Sequence, residues 1–180
     1  MDQRLAVSGG VLAVMIGLVQ ASGPPLDPCG DPMTVSQAYR AVSGTVRDVG
    51  NAVTIVVDLD EQPTGADSIP LCSRNGCRVQ LVNLAAPTSS TAATLGKAHL
   101  VDLCKGKRVE LLVSPYQDIP GVLNALAHAE SVGLNEAQLA AGFARYRSMG
   151  PYAVDWFIEC RWKRAESRAR ESRVGLWRTN

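Results

Sequence analysis

The stretches Val53-Thr54-Ile55-Val56-Val57 and Arg78-Val79-Gln80-Leu81-Val82-Asn83-Leu84 carry the clearest strand patterns in this 180-residue chain. The first is a run of β-branched residues, which is typical of a buried strand. The second alternates apolar and polar residues, as a half-buried strand does. Shorter patterns predict further strands at residues 42–49, 108–113 and 123–128. By propensity alone, a helix is the alternative for residues 123–128. Five short strands of this kind favour a small barrel.

Three helices are predicted among these strands, at residues 89–103, 135–144 and 153–173. Apolar residues recur at helical spacing in the first and the third of them. Asn135 stands where an N-cap is expected, and Gly142 lies near the end of the same helix. Helices after the third and the fifth strand are typical of a partly open Greek-key barrel of the OB type, so the predicted fold class is mainly β with helices (α+β).

The composition limits the function classes that need to be considered. Hydrophobic residues make up 46% of the chain, which excludes wholesale disorder, and the formal net charge of +1 argues against a generally polybasic nucleic-acid binder. Five cysteines without a CxxC pair and only two histidines argue against a zinc finger or ribbon. The sequence also lacks the usual nucleotide-binding, metalloprotease and serine-hydrolase motifs, so we expect no cofactor and no metal.

The N-terminal region is a distinct hydrophobic segment. Residues 5–19 read LAVSGGVLAVMIGLV, and no charged residue occurs between Arg4 and Asp27. A helix over residues 5–21 would be roughly 25 Å long, slightly shorter than the ~30 Å hydrocarbon core of a bilayer. Local thinning of the bilayer and flanking polar residues would let such a helix span it.

The chain therefore divides into three parts. We interpret residues 1–21 as a transmembrane anchor; a signal peptide cleaved after Val19-Gln20-Ala21 is the alternative. Residues 22–33 form a Pro/Gly-rich linker. Residues 34–180 are expected to fold as one domain.

The cysteine positions suggest two disulfide bridges. Cys72 and Cys77 flank the sequence Ser-Arg-Asn-Gly, whose Asn-Gly pair predicts a tight turn that would bring the two sulfurs together. Two free thiols on a loop are the alternative. A bridge between Cys104 and Cys160 is a weaker expectation, and it would leave Cys29 unpaired. A disulfide would place the domain in an oxidising compartment.

Four short motifs follow one another along the predicted domain. Ala86-Pro87 is similar to a DTPE segment after the third strand, and Leu134-Asn135-Glu136-Ala137 with Ala141-Gly142-Phe143-Ala144 to a helix of sequence VNEALVRQGLA. Gly175-Leu176-Trp177 is similar to the GLW or NIW that closes a last helix. In their order and spacing, residues 43–178 resemble the staphylococcal-nuclease-like (thermonuclease) family, which implies a five-stranded OB-type barrel with about three helices.

This resemblance also implies a set of charged site residues, because the family cleaves phosphodiester bonds with Ca²⁺. Acidic residues hold the metal, arginines neutralise the phosphate and a glutamate positions water. The positions of this chain that match these residues are all neutral. Val53 falls in the family's acidic turn and Ala85 matches a metal-binding aspartate, while Gln80 and Val122 match the two arginines and Thr88 matches the glutamate. Asp48 and Asn83 are the nearest polar candidates, and they do not rebuild the cluster. Because this chain lacks the charged residues that the resemblance implies, we expect a catalytically inactive domain.

The predicted last helix is rich in basic residues. They are Arg161, Lys163, Arg164, Arg168, Arg170 and Arg173. We interpret them as a solvated helix face with i,i+4 ion pairs such as Glu166–Arg170. A basic surface that binds phosphate or lipid headgroups is the alternative.

The histidines and tryptophans are interpreted as structural residues. His99 has no nearby acid in the sequence to orient it, and His128 falls at the end of the fifth predicted strand. Trp156, Trp162 and Trp177 occur at helical positions, where they are expected to be packing anchors and not base-stacking platforms.

From these features we expect a non-catalytic domain that residues 5–21 anchor in a membrane and that serves as a structural or binding subunit of a larger membrane protein assembly. Its expected place is the oxidising side of that membrane, in a periplasm, at the cell exterior or in the intermembrane space of an organelle; a secreted domain is the alternative. The alternative functions are a Ca²⁺-dependent nuclease with a diverged active site and a single-stranded nucleic-acid binding module.

Overall fold

The computed structural model describes residues 28–30, 39–61, 72, 76–117, 119–148 and 154–178. The predicted hydrophobic segment and most of the predicted linker lie outside these described residues. No helix within the described ranges is both long enough and apolar enough to cross a membrane.

Eight strands and three α-helices make up the described part of the chain. The strands are β1 Arg40–Asn51, β2 Thr54–Leu59, β3 Cys77–Leu81, β4 Leu84–Ala85, β5 Arg108–Val113, β6 Val122–Ala129, β7 Val132–Gly133 and β8 Arg145–Tyr146. The helices are α1 Ser90–Cys104, α2 Leu134–Ala140 and α3 Trp156–Glu171, and a 3₁₀ turn at Gly175–Trp177 follows.

The five longest strands close into a barrel. Strand β1 pairs antiparallel with both β2 and β5, β2 pairs with β3, and β5 pairs with β6. A parallel pairing between β3 and β6 completes the ring. The result is a closed five-stranded α+β barrel with three helices, which confirms the predicted class and is consistent with an OB-type barrel.

Strand β1 pairs with β2 along one edge and with β5 along the other, and it bends along its length. Its register against β2 shifts between Val46 and Asp48, and such a bulge increases the local twist of a strand. Gly44 permits close contact with β2, because a side chain there would collide with the Asp58 carbonyl group. Apolar side chains on alternate strand positions, such as the fully buried Val79 and Leu81, then fill the interior.

Helix α2 is attached to the barrel by two buried polar side chains. Asn135 is not the N-cap that the sequence suggested, since the helix begins at Leu134, directly after β7. Its amide nitrogen donates to the Val82 carbonyl oxygen at 3.1 Å, and its amide oxygen accepts from the Ala127 N–H at 3.1 Å. Gln138 is fully buried and donates to the carbonyl oxygens of Ala52 and Gly96. These bonds satisfy backbone groups that would otherwise be buried without partners.

Two disulfides are present, and one of them corrects the sequence-based pairing. Cys72 is joined to Cys77, as the hairpin spacing predicts, with their Cα atoms 4.6 Å apart. The expected bridge between Cys104 and Cys160 is wrong, because Cys160 is joined to Cys29 across 131 residues. Pairing between distant cysteines depends on the whole fold and cannot be deduced from their spacing.

Cys104, the cysteine left over, is expected to resist alkylation in the folded protein. It is fully buried at the end of α1, and burial raises the pKa of its thiol from 9.0 to about 11. Thiolate, the reactive form, is therefore scarce at pH 8. Iodoacetamide followed by mass spectrometry should find this thiol unmodified in the native state and modified in urea.

The same raised pKa predicts a pH dependence of stability. Between pH 9 and 11 the unfolded chain releases the Cys104 proton before the folded chain does, so the free energy of unfolding falls as the pH rises. A Cys104→Ala variant should lack this part of the decline. Equal alkylation rates in the native and unfolded states would contradict the burial of this thiol.

The three tryptophans do not share one role. Trp162 is 3% exposed and packs in the core, as expected. Trp177 is half-buried under the guanidinium groups of Arg145 and Arg170, whose carbon atoms lie 5.1 and 4.4 Å from its ring. The prediction of a packing anchor is wrong for Trp156, which is 67% exposed at the start of α3.

Candidate functional site

The β1–β2 hairpin occupies the position that the resemblance assigns to the family's acidic turn. The Asn51 side-chain oxygen accepts a hydrogen bond from the Val53 N–H at 2.8 Å, which closes the turn locally. The Val53 side chain is 2% exposed and belongs to the hydrophobic core. The side chain at this position is therefore apolar and packs in the core, whereas a Ca²⁺ site would need a carboxylate here.

A row of uncharged polar residues crosses the neighbouring strands. Gln80 in β3 lies opposite Thr54 of β2 on one side and opposite Asn124 of β6 on the other. The Thr54 hydroxyl donates to the Gln80 side-chain oxygen at 3.0 Å. We call Thr54, Gln80 and Asn124 the neutral row. Its middle residue, Gln80, is at the position where the resemblance implies the first phosphate-neutralising arginine.

The loop between β5 and β6 covers one end of the neutral row. The Asn124 amide nitrogen donates to the Tyr116 carbonyl oxygen at 3.4 Å, and the Asn124 backbone N–H donates to the Gln117 side chain at 2.8 Å. Asn124 is 3% exposed as a result. Tyr116 and Ile119 of the same loop are each 51% exposed. Hydrogen bonding within the protein thus satisfies the polar groups of Asn124.

The other three positions are also without charge, and the structure distributes them around this region. Val122 begins β6 opposite Arg78, two residues before Asn124, and its side chain is 9% exposed. Ala85 is half-buried in β4, where it pairs with Arg145 of β8. Thr88 is exposed just before α1. Of the five neutral positions, Gln80 and Val122 thus lie on the paired strands β3 and β6, and Val53 lies in the turn before β2. Ala85 and Thr88 lie between β3 and α1.

The nearest acidic and amide candidates do not form a metal site. Asp48 is exposed and lies 3.5 Å from Lys105, and a hydrogen bond from the Val49 backbone N–H is the main cause of its lowered pKa. Asn83 is 2% exposed in a left-handed turn, and its amide atoms have no hydrogen-bond partner among the described residues. Within the described ranges, no three His, Cys, Asp or Glu residues come together in a way that could hold a metal ion.

The basic residues of α3 divide into paired and unpaired groups. Arg161 pairs with Glu136 of α2, and Lys163 pairs with Glu159, whose pKa this contact holds below its usual value. The predicted i,i+4 pair between Glu166 and Arg170 is present at 3.6 Å. Arg164, Arg168 and Arg173 are exposed and make no ion pair within the described part of the chain. The interpretation as an ion-paired helix face therefore holds for only part of the helix.

An apolar pocket that the sequence did not suggest lies between the barrel and the last two helices. It has a volume of about 190 Å³, and its walls include Leu112, Leu126, Phe157 and Trp162. The exposed His128 and the Glu136–Arg161 ion pair stand at its edge. Its walls come from strands and helices distant in sequence, so no local pattern could have revealed it.

His99 is a structural residue, consistent with its interpretation from the sequence. Its ring nitrogen lies 2.6 Å from the side-chain oxygen of the buried Gln138, and its ring lies 5.4 Å from that of Phe143. These contacts join α1 to α2 and leave the His99 ring without a carboxylate partner within the described residues.

No protein-family model matches this chain, and a comparison with curated proteins finds no relative.

Proposed function

We propose that this chain is a non-catalytic, thermonuclease-like domain that residues 5–21 anchor in a membrane. It acts as a structural or binding subunit of a larger membrane assembly, on the oxidising side of that membrane. The observation that carries the proposal is the neutral row: Gln80 lies where the resemblance implies a catalytic arginine, and its cross-strand neighbours Thr54 and Asn124 are uncharged and hydrogen-bond within the protein.

The absence of charge at all five matched positions is what argues against catalysis. A nuclease of this kind stabilises a pentavalent phosphorane with cations and holds Ca²⁺ with carboxylates. Val53 is in the core and Val122 is nearly buried. Neither side chain can carry a charge or bind a metal ion. The barrel retains the scaffold of such an enzyme without the groups that its chemistry needs, and a scaffold of this type can serve other functions.

The disulfides support the proposed compartment. Two bridges, one of them joining residues 131 positions apart, are stable where thiols are oxidised and rare where glutathione keeps them reduced. The hydrophobic segment, with no charged residue between Arg4 and Asp27, supports attachment to the membrane that bounds such a compartment.

Membrane attachment and assembly are tested on the full chain expressed in its native membrane. We expect it to stay in the pellet after alkaline washing, with an intact N-terminus, and to migrate in mild detergent well above its monomer mass of 19.1 kDa. A Leu12→Arg/Ile16→Arg variant should be released, because each arginine at the centre of a spanning helix costs about 3 kcal/mol.

Two results would overturn the proposal. A soluble protein that begins at Ser22 would show a cleaved signal peptide and a secreted domain. A membrane-bound protein that migrates as a monomer under every mild detergent would contradict the role as a subunit.

A further inference from the structure

The disulfide between Cys29 and Cys160 attaches the chain to α3 only a short distance after the hydrophobic segment. Cys29 follows Ala21, the last residue of that segment, by eight residues, which can span at most about 29 Å. Without the bridge, the connection from Ala21 to Arg40 at the start of β1 comprises nineteen Cα–Cα steps, which can span at most about 68 Å. The bridge therefore shortens the tether by more than half.

The shorter tether restricts which side of the domain can approach the membrane. A compact domain of about 140 residues has a radius of gyration near 14 Å and hence a diameter of about 37 Å. A tether of 68 Å could pass around such a domain, whereas one of 29 Å cannot. An anchor over residues 5–21 thus keeps the surface around Cys160 closer to the bilayer than the opposite side of the barrel.

The surface around Cys160 is the outer face of α3. Helical spacing places Trp156, Cys160, Lys163, Arg164 and Ser167 on one side of the helix, which we call the outer face. The buried residues Trp162, Ala165 and Ala169 lie on the other side, and the buried Phe157 lies at the border between the two sides. Trp156 is 67% exposed and stands beside the bridge, since its ring lies 3.9 Å from where a Gly30 side chain would begin.

The chemistry of the outer face matches the headgroup region of a bilayer. Tryptophan is enriched at membrane–water interfaces, where its ring meets the acyl boundary and its N–H meets the headgroups. Arg164 on this face and Arg168 beside it make no ion pair within the described residues. Helix α3 as a whole carries five Lys and Arg residues against three Glu, which favours an anionic surface.

We infer that the outer face of α3 lies against anionic phospholipid headgroups of the membrane that holds residues 5–21, and that the Cys29–Cys160 bridge fixes this orientation. The inference rests on the proposed membrane anchor, and it adds the side of the domain that faces the lipid and the class of lipid it contacts. Reduction of the bridge would lengthen the tether and release the domain from this orientation without detaching it from the membrane.

The test reconstitutes the oxidised full chain into vesicles of phosphatidylcholine with about a third phosphatidylglycerol, in which the acyl chains carry bromine, a quencher of tryptophan fluorescence. Flotation of the vesicles reports the anchor, and quenching reports the position of Trp156. A Trp156→Phe variant gives the signal of Trp162 and Trp177 alone. We expect the wild-type chain to float and to show quenching well above this background.

Two variants separate the contributions of bridge and charge. A Cys29→Ser/Cys160→Ser variant should float normally and lose most of the Trp156 quenching. An Arg164→Glu/Arg168→Glu variant keeps the bridge, and it should weaken the contact about fivefold for each attractive charge removed. Circular dichroism of each variant checks that the barrel is intact, and the charge variant carries the test if the cysteine variant does not fold.

Each outcome has a definite meaning. Quenching that depends on Trp156, on the bridge and on anionic lipid supports the inference. Vesicles that float without Trp156-dependent quenching overturn it and leave the anchor in place, as does equal quenching in pure phosphatidylcholine. Failure to float overturns the anchor and the inference together. A Trp156 shielded from aqueous acrylamide in the native assembly but unquenched by brominated lipid would assign the outer face to a protein partner, which also overturns it.

Discussion

Replacing Gly142 with alanine is expected to destabilise the fold by about 3 kcal/mol or more, which is enough to unfold many domains. Gly142 has a φ of +70°, a conformation that costs an alanine about 1 kcal/mol or more. A methyl group there would also collide with the Val174 carbonyl oxygen and approach the Gly175 Cα within 3.3 Å. The Leu176 N–H donates to the Gly142 carbonyl oxygen at 2.7 Å, so the two segments cannot separate to relieve this collision without losing a hydrogen bond.

The chain offers matched controls for this substitution. Gly106 and Gly121 have φ values of +76° and +75°, and a side chain at either would meet no described residue within 4 Å. Alanine there should cost only the conformational part, about 1 kcal/mol. Urea unfolding of the oxidised full chain in mild detergent, followed by tryptophan fluorescence, measures all three. A Gly142→Ala variant no less stable than Gly106→Ala would show that the close contact does not exist.

The contact at Gly142 explains what the sequence motifs contribute. Gly142 belongs to the motif Ala141-Gly142-Phe143-Ala144 and Gly175 to the motif Gly175-Leu176-Trp177, and the structure brings the two together. Asn135 of a third motif joins α2 to the barrel. The residues that carry the resemblance are thus residues that hold the helices on the barrel, while the positions of the family's chemistry are neutral.

Much of the barrel could be predicted because alternation and β-branching are local signals. The predicted strand at residues 108–113 matches β5, and the one at 123–128 lies within β6. The closure of the barrel by β3 and β6 could not be predicted in the same way, because their pairing depends on contacts between distant parts of the chain. The Cys29–Cys160 bridge was missed for the same reason.

The errors at single residues have local physical causes. Asparagine is a common N-cap residue, but the side-chain amide of Asn135 hydrogen-bonds the buried backbone groups of Val82 and Ala127 instead. Trp156 is expected to pack because tryptophan usually does, yet the phase of α3 places it opposite the buried Ala165 and Ala169, on the side away from the barrel. Composition suggests a role for each residue, and the phase of its element decides whether that role is available.

The second large effect is an absence of metal-dependent cleavage, which follows from the lack of charge at Val53, Gln80, Ala85, Thr88 and Val122. Loss of one transition-state donor typically costs a factor of about 10²–10³, so loss of both arginines should reduce the rate by about 10⁴ or more even if a metal were bound. The carboxylates that would bind it are also missing at Val53 and Ala85. An Asp48→Asn variant serves as control, because Asp48 is the nearest acidic candidate for a displaced site.

The most direct measurement is cleavage of single- and double-stranded DNA and of RNA by the purified, oxidised full chain, with Ca²⁺ and with chelator, beside an active thermonuclease. The account predicts no cleavage that chelator abolishes, at any level above about 10⁻⁴ of the active enzyme, and the same background for wild-type and Asp48→Asn chains. Robust Ca²⁺-dependent cleavage that co-purifies with the wild-type chain and falls in a variant of the chain would contradict it.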